Sequence, residues 1–392
     1  MPVNDFTFNQ LAAVLNDVAE QATGKKGLTP TDTSSFVTVA QETLKTAGYD
    51  PVLNAISQVL SKTIFSNRPY EAKFGGLQVS NIQYGNHVRK LSPIDKSFEN
   101  EARLSLQDGV AIDQYVVNKP GVLQTNFYGA NIFEKSVTIF KDQLDSAMSG
   151  PEEFGSFLSM VMQNASDQIE QAKESIARAT LSNFIAGKYL GDAGNVIHLL
   201  TEYNALTGLT LTATSVYQPA NFKPFMQWVY SRIASISSMM TERSLKFHMN
   251  VTGKEVTRHT PMSMQKVYLY APARFQTEAQ VLADTYHDNF IKYADNETVN
   301  FWQSIDTPDT VDIKPVYLDA STGGLTIAST DQSIAKVFGV IFDEEAVGYT
   351  VVNESTDLTP YNAKGRYWNQ FWHFTLRYWN DFTENGVVLL LD

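Results

Sequence analysis

Histidine is the side chain most readily recruited to acid–base or metal chemistry near neutral pH, and this chain has six, at positions 87, 198, 248, 259, 287 and 373. None has the i, i+4 or short-loop spacing with another that metal sites use. His287 and Asp288 could act as a base and its orienting acid if a nucleophile converged on them, but a surface pair on a helix is the reading that accounts for them better. Asp343, Glu344 and Glu345 in "FDEEAV" offer oxygen donors for a hard cation or, between two strands, a solvated corner. "ATGKKG" fails as a phosphate loop, because Ala19 stands where the first glycine belongs and Lys26 where the magnesium-binding hydroxyl belongs. There is no cysteine, which removes disulfides, thiolate metal sites and a thiol nucleophile together. No enzyme and no cofactor are therefore expected.

One stretch could bind a ligand without catalysing anything. "GRYWNQFWHFTLRYWNDF", residues 365–382, concentrates three of the five tryptophans. Exposed rings at Tyr367, Phe371 and Trp379 would form a stacking platform for a sugar, as in a carbohydrate-binding or adhesion module. Period argues for a strand instead. Counting by twos, Trp368, Trp372, Phe374, Leu376 and Tyr378 share one face, and Asn369, His373, Thr375 and Arg377 share the other with Tyr367 and Phe371. Trp368, Trp372 and Phe374 are then expected to be core, with Tyr367, Phe371 and Arg377 free to meet another molecule.

Such a strand needs a partner, and the sequence contains one. From Glu152 to about residue 186, Phe154, Leu158, Val161, Ala165, Ile169, Ala172, Ile176 and Ala179 hold a helical stripe. Ser149 and Glu152 have capping-box spacing, and Gly187 or Gly191 is placed to end the run. Before it, residues 1–76 read as a helical arm with little core of its own. Residues 77–123 read as a long two-stranded excursion of about 20 residues per strand, roughly 60 Å of reach. Its charges are segregated: Arg89, Lys90 and Lys96 precede Glu99, Glu101 and Asp108. Residues 192–335 alternate helix and strand, with strands at "KVYLYAPARF" and "NETVNFWQSI" and helices at "FKPFMQWVYSRIASISSMM" and "TEAQVLADTYHDNF". Residues 336–392 return as strands to the region of 124–191. The fold class is α+β.

The formal net charge of -12 argues against a protein that grips phosphate, since counterion release needs clustered Lys and Arg. The basic trio of Arg89, Lys90 and Lys96 is too small for such a footprint. The N-terminus has neither the basic nor the apolar region of a signal peptide, and no apolar run reaches the length of a membrane span, so no membrane association is expected.

The order of helical arm, charged hairpin, spine helix, α and β domain and closing strand resembles the major capsid proteins of tailed bacteriophages, which share the Hong Kong 97 fold. "KPGVLQTNFYGANIFEKSVTIFKDQLDSAMSGPEEFGSFLSMVMQNASDQIEQAKE" is similar to the passage from extended loop into spine helix in phi-29-like podophage coats. "NAKGRYWNQFWHFTLRYWNDFTENGVVLLL" is similar to their closing segment, with Gly365, Tyr367, Trp368 and Asn369 fitting a Gly-x-Tyr-Trp-Asn pattern. "KVFGVIFDEEAVGYTVV" resembles the strand, acidic turn and strand before it. The resemblance implies an N-terminal arm (1–76), an extended loop (77–123), a peripheral domain (124–191, completed by 336–392) and an axial domain (192–335). It implies an icosahedral head that encloses double-stranded DNA without sequence-specific binding. It also implies partners in the form of further copies in pentamers and hexamers, a portal protein and a scaffold protein, with assembly in the host bacterial cytoplasm. Arg89, Lys90, Lys96, Glu99, Glu101 and Asp108 become subunit contacts. No motif carries over the Lys-to-Asn isopeptide chemistry of some relatives, so noncovalent assembly is expected.

Overall fold

A computed structural model describes residues 8–25, 30–62, 73–79, 87–94, 121–128, 130–272 and 296–392, together with 101, 104, 106–112, 115, 117 and 119. Lys96, Glu99, His287, Asp288 and the helix expected over "TEAQVLADTYHDNF" lie outside these residues. The chain divides into two compact units, each built from three segments: Met1–Tyr84, Ala130–Ser175 and Thr350–Arg377 in the first, and Gly85–Gly129, Ile176–Tyr349 and Tyr378–Asp392 in the second.

In the first unit, helices α1 (Phe8–Thr23), α2 (Thr33–Ala47) and α3 (Tyr49–Lys62) pack on one another. Asp32 caps α2, its carboxylate accepting from the Ser35 amide at 2.7 Å. Leu11, Leu15 and Val18, at spacings of four and three, are buried with Phe36, Ala40, Val52 and Phe154 in one apolar cluster that includes Trp368. The expectation of an arm without a core is thus corrected: the three helices supply most of the cluster. The same unit holds a three-stranded sheet ordered β12 (Val347–Leu358), β13 (Tyr367–Asn380), β3 (Asn131–Phe140), followed from β3 by the short helix α4 (Lys141–Ala147). β13 runs antiparallel to β3 from Tyr367↔Phe140 to Leu376↔Asn131.

The long helix α5 (Pro151–Gly191) has 41 residues, about 60 Å at 1.5 Å per residue. Ser149 does not close a capping box with Glu152; its hydroxyl donates to the Ser146 carbonyl at 2.6 Å. Gly187 does not end the helix either. A Cβ there would lie 2.5 Å from the Phe382 ring, so the glycine admits that ring to the helix surface.

The second unit is layered around a five-stranded sheet ordered β4 (Val196–His198), β14 (Gly386–Leu390), β11 (Val337–Asp343), β5 (Gln265–Tyr270), β6 (Asn296–Val299), in which β4–β14 and β5–β6 are parallel pairs and β11 is antiparallel to both its neighbours. Every residue of β11 and β14 is buried, as strands covered on both faces require. On one face, Val267, Leu269, Ile341, Val387 and Leu389 meet α6 (Leu199–Thr207) and α7 (Pro219–Met240) through Leu199, Val229, Ile233 and Ile236. On the other, Phe342 packs against Tyr268 and Phe184, the last from the C-terminal half of α5, with ring centroids 5.7 Å apart in both pairs. Two short antiparallel pairs complete the unit: β7 (Val311–Ile313) with β10 (Gln332–Ile334), and between them in sequence the hairpin of β8 (Val316–Leu318) with β9 (Leu325–Ile327).

Candidate assembly surface

The excursion between the helical segments begins as a ladder of seven residues. β1 (His87–Pro93) and β2 (Val122–Tyr128) pair antiparallel from His87↔Tyr128 to Pro93↔Val122, and the Ile94 amide donates to the Gly121 carbonyl at 2.9 Å beyond the last pair. Among the described residues the ladder accounts for seven of the 20 residues per strand expected. β1 alternates as a strand should: Arg89 and Leu91 are exposed, whereas Ser92 is buried and Lys90 half-buried.

Beyond the ladder the described residues are exposed, and many are apolar. Leu104, Leu106, Val110, Ile112, Tyr115 and Val117 are 50% to 80% accessible. They come in pairs two residues apart in the sequence. Glu101 and Asp108 are exposed beside them, as is Arg89 at the base.

Lys90, read from the sequence as an outward contact, is held within its own subunit. Its Nζ lies 2.5 Å from Glu384, 2.8 Å from Glu345 and 3.2 Å from Asp381. Burial works against its charge, but the carboxylates of Asp381 and Glu384 outweigh that and lift the ammonium above its ordinary pKa. Glu384 is pushed up from the usual carboxylate range by burial, with Lys90 and Arg258 pulling the other way. Arg258 adds a second tie: Nη2 donates to Ser92 Oγ at 2.8 Å, Nε donates to the Thr383 carbonyl at 3.2 Å, and Nη1 pairs with Glu384 at 3.2 Å.

The acidic turn is not a solvated corner throughout. Asp343 is buried and accepts from Thr260 Oγ1 at 2.7 Å and the Glu345 amide at 2.9 Å, and burial raises its pKa. Among the described residues no group of three or more His, Cys, Asp or Glu side chains is placed to hold a metal ion. His248 is buried against Asn385 and the Val256 carbonyl, with burial lowering its pKa. His373 is half-buried on the sheet between Glu134 and Asp357, 3.9 Å and 3.7 Å away.

β13 has the predicted alternation at its start and loses it at its end. Trp368 and Phe374 are buried, and Trp372 is half-buried against the helical cluster. Trp368 stacks near Tyr49, with centroids 5.9 Å apart, and its Nε1 donates to Asp50 at 2.5 Å; Phe374 stacks on Phe133 at 5.2 Å. Arg377, expected to be free, is buried beside buried Leu376, because both faces of the strand are covered there. The sugar platform does not form. Tyr367, Phe371 and Trp379 are each half-buried; Tyr367 meets Phe140 edge-on, and Trp379 lies against Phe127 and over Gly348, where a Cβ would come within 2.6 Å of its ring.

No curated protein matches the sequence. Among solved structures, one from the capsid of Staphylococcus phage Andhra is similar over 84% of this chain and 87% of its own, at TM-score 0.55 and 11% identity. A chain in the structure of the head fiber and inner core protein gp22 of native bacteriophage P68 is similar to the same extent, with 84% and 87% covered, TM-score 0.55 and 11% identity. The fold is therefore the Hong Kong 97-like capsid fold, with its loop, long helix and closing strands. The model of the family described as Phi29-like phage major capsid protein matches residues 11–390, and the chain belongs to that family, a shell protein of the phage head.

Proposed function

We propose that subunits join by laying the loop beyond β1 and β2 across a neighbouring copy, building pentamers and hexamers of an icosahedral head. The observation that carries this is the row of exposed apolar side chains from Leu104 to Val117. A two-stranded excursion with an uncovered apolar side is marginal in water, and a second copy supplies the cover. Arg89, Lys96, Glu99, Glu101 and Asp108 act at the rim of this contact, where charges fix register more than they add affinity. Residues 192–335 serve as the axial domain around each ring, and 124–191 with 336–392 as the peripheral domain. Each contact is modest, and a closed shell multiplies it.

The net charge of -12 suits a wall that encloses double-stranded DNA without holding it, since there is no clustered base to release counterions. A scaffold protein and a portal protein complete the assembly, which takes place in the host cytoplasm, and no catalytic step is required of the chain. Deleting residues 95–120 while leaving the β1–β2 ladder tests the loop. The expected result is a folded subunit by circular dichroism that forms no shells by negative-stain microscopy, with or without scaffold. Shells of normal yield from the deletion would end this reading.

A further inference from the structure

On the face of β1 that turns inward, two polar side chains are anchored by charge. Lys90 meets the turn after β13 and the turn between β11 and β12, and Ser92, two residues on along that face, meets Arg258. Lys90 reaches Glu345, Asp381 and Glu384, while Arg258 reaches both Ser92 and Glu384. The carboxylates differ in setting: the side chains of Asp381 and Glu384 are 2% and 6% accessible, whereas Glu345 is 56% accessible. Asp343, buried behind the turn, feels the same ammonium. Phe127 of β2 adds a tilted ring contact with Trp379, centroids 6.5 Å apart. Apolar contacts tolerate sliding, but an ammonium fixed by three carboxylates and a guanidinium forked between a hydroxyl and a carboxylate do not.

We infer that Lys90 is a positioning residue for assembly: with Arg258 it clamps the root of the loop to the second unit and sets the direction in which the apolar side chains from Leu104 to Val117 are presented. The clamp acts inside one subunit and contributes no contact to the neighbour. This rests on the proposed docking of the loop on a second copy, and the two fail separately.

The chain has no cysteine, so paired labels can be introduced cleanly. Nitroxides at Asp108→Cys, in the loop, and Thr330→Cys, exposed elsewhere in the same unit, report the loop's direction in the unassembled subunit by electron–electron dipolar distances. The unsubstituted clamp should give one narrow distribution. Lys90→Met should broaden or shift it and reduce shell yield by roughly 100-fold, since a small angular error recurs at every contact of the shell. Lys90→Arg should restore the narrow distribution and most of the yield. Because Lys90→Met leaves buried carboxylates without their cation, the double variant Lys90→Met with Glu384→Gln removes charge from both sides, and it should show the same broadening in a subunit of normal circular dichroism. A broad distribution in the parent, or narrow unchanged distributions in both Met variants, would overturn the clamp. Shells from the 95–120 deletion would overturn the docking reading while leaving the distance result intact.

Discussion

Two regions of this subunit carry apolar side chains and use them in opposite ways. In the helical cluster, Leu15, Val18, Phe36, Ala40, Val52 and Phe154 are wholly buried. In the loop, Leu104, Leu106, Tyr115 and Val117 are between 64% and 80% accessible. Spacing separates them. The cluster residues recur at three and four along helices whose other faces are polar, so each helix needs a companion within the subunit. The loop residues come in pairs two apart and face water in the single subunit, and on the proposed docking their companion is a neighbouring copy. On that reading apolar content divides into a part that folds the subunit and a part that joins it to the next.

Removing the buried part should show first in stability. Trp368→Ala empties a fully buried indole site and strands Asp50, and it is expected to cost about 3–5 kcal/mol in urea unfolding, leaving little folded subunit to assemble. Lys90→Met comes next, at about 2 kcal/mol near neutral pH, reduced from the usual cost of breaking a buried pair because a fifth of the lysine side chain meets water.

That second penalty should depend on pH, and the sign follows from the shifts. Lys90 has a raised folded pKa, so its contribution is complete below the ordinary lysine value of 10.5 and is lost as pH rises through the folded value. Glu384 is also raised, so the folded state holds its proton to higher pH than the unfolded chain does. Without Lys90 it rises further, and acid then neutralises the stranded carboxylate. The stability gap between parent and Lys90→Met is therefore expected to narrow as pH falls from 7 towards the ordinary carboxylate range, which denaturant titrations at several pH values will measure. A gap that widens on acidification would break the account of the clamp. The smallest effect on stability, within about 0.5 kcal/mol, is expected for Leu106→Ser with Ile112→Ser, because both side chains already face water. The same pair should sharply lower shell yield in sedimentation. A stability loss as large as that of Trp368→Ala would erase the contrast between the regions.

What could be read from residues alone follows the length of each pattern. The stripe of α5 and the alternation of β13 extend over enough residues for their periods to be unmistakable, and the acidic turn between β11 and β12 stands between two apolar runs. The role of α1 to α3 was not legible, because each helix shows a stripe but the partner that completes the cluster includes Trp368, more than 300 positions away. Arg377 was misread for a related reason: alternation assumes one wet face, and β13 is covered on both where Leu376 and Arg377 lie. Lys90 was recognised as important, but the ion pairs that hold it within its own subunit were not legible. Its type is visible in the sequence, but its carboxylates at 345, 381 and 384 are brought to it only by the fold.

The bond from the Ile94 amide to the Gly121 carbonyl closes a ring of chain at the top of the β1–β2 ladder. Loop-closure entropy grows only with the logarithm of ring size, so doubling the chain inside the ring costs about 0.6 kcal/mol. Length is therefore nearly free to the subunit, while any change of register below the ring would turn Lys90 and Ser92 out of their clamp. The ring is a natural port for inserted sequence: a foreign peptide of similar length placed there should leave the folding of the subunit almost untouched, and the geometry of the neighbour alone would limit how much the head can display.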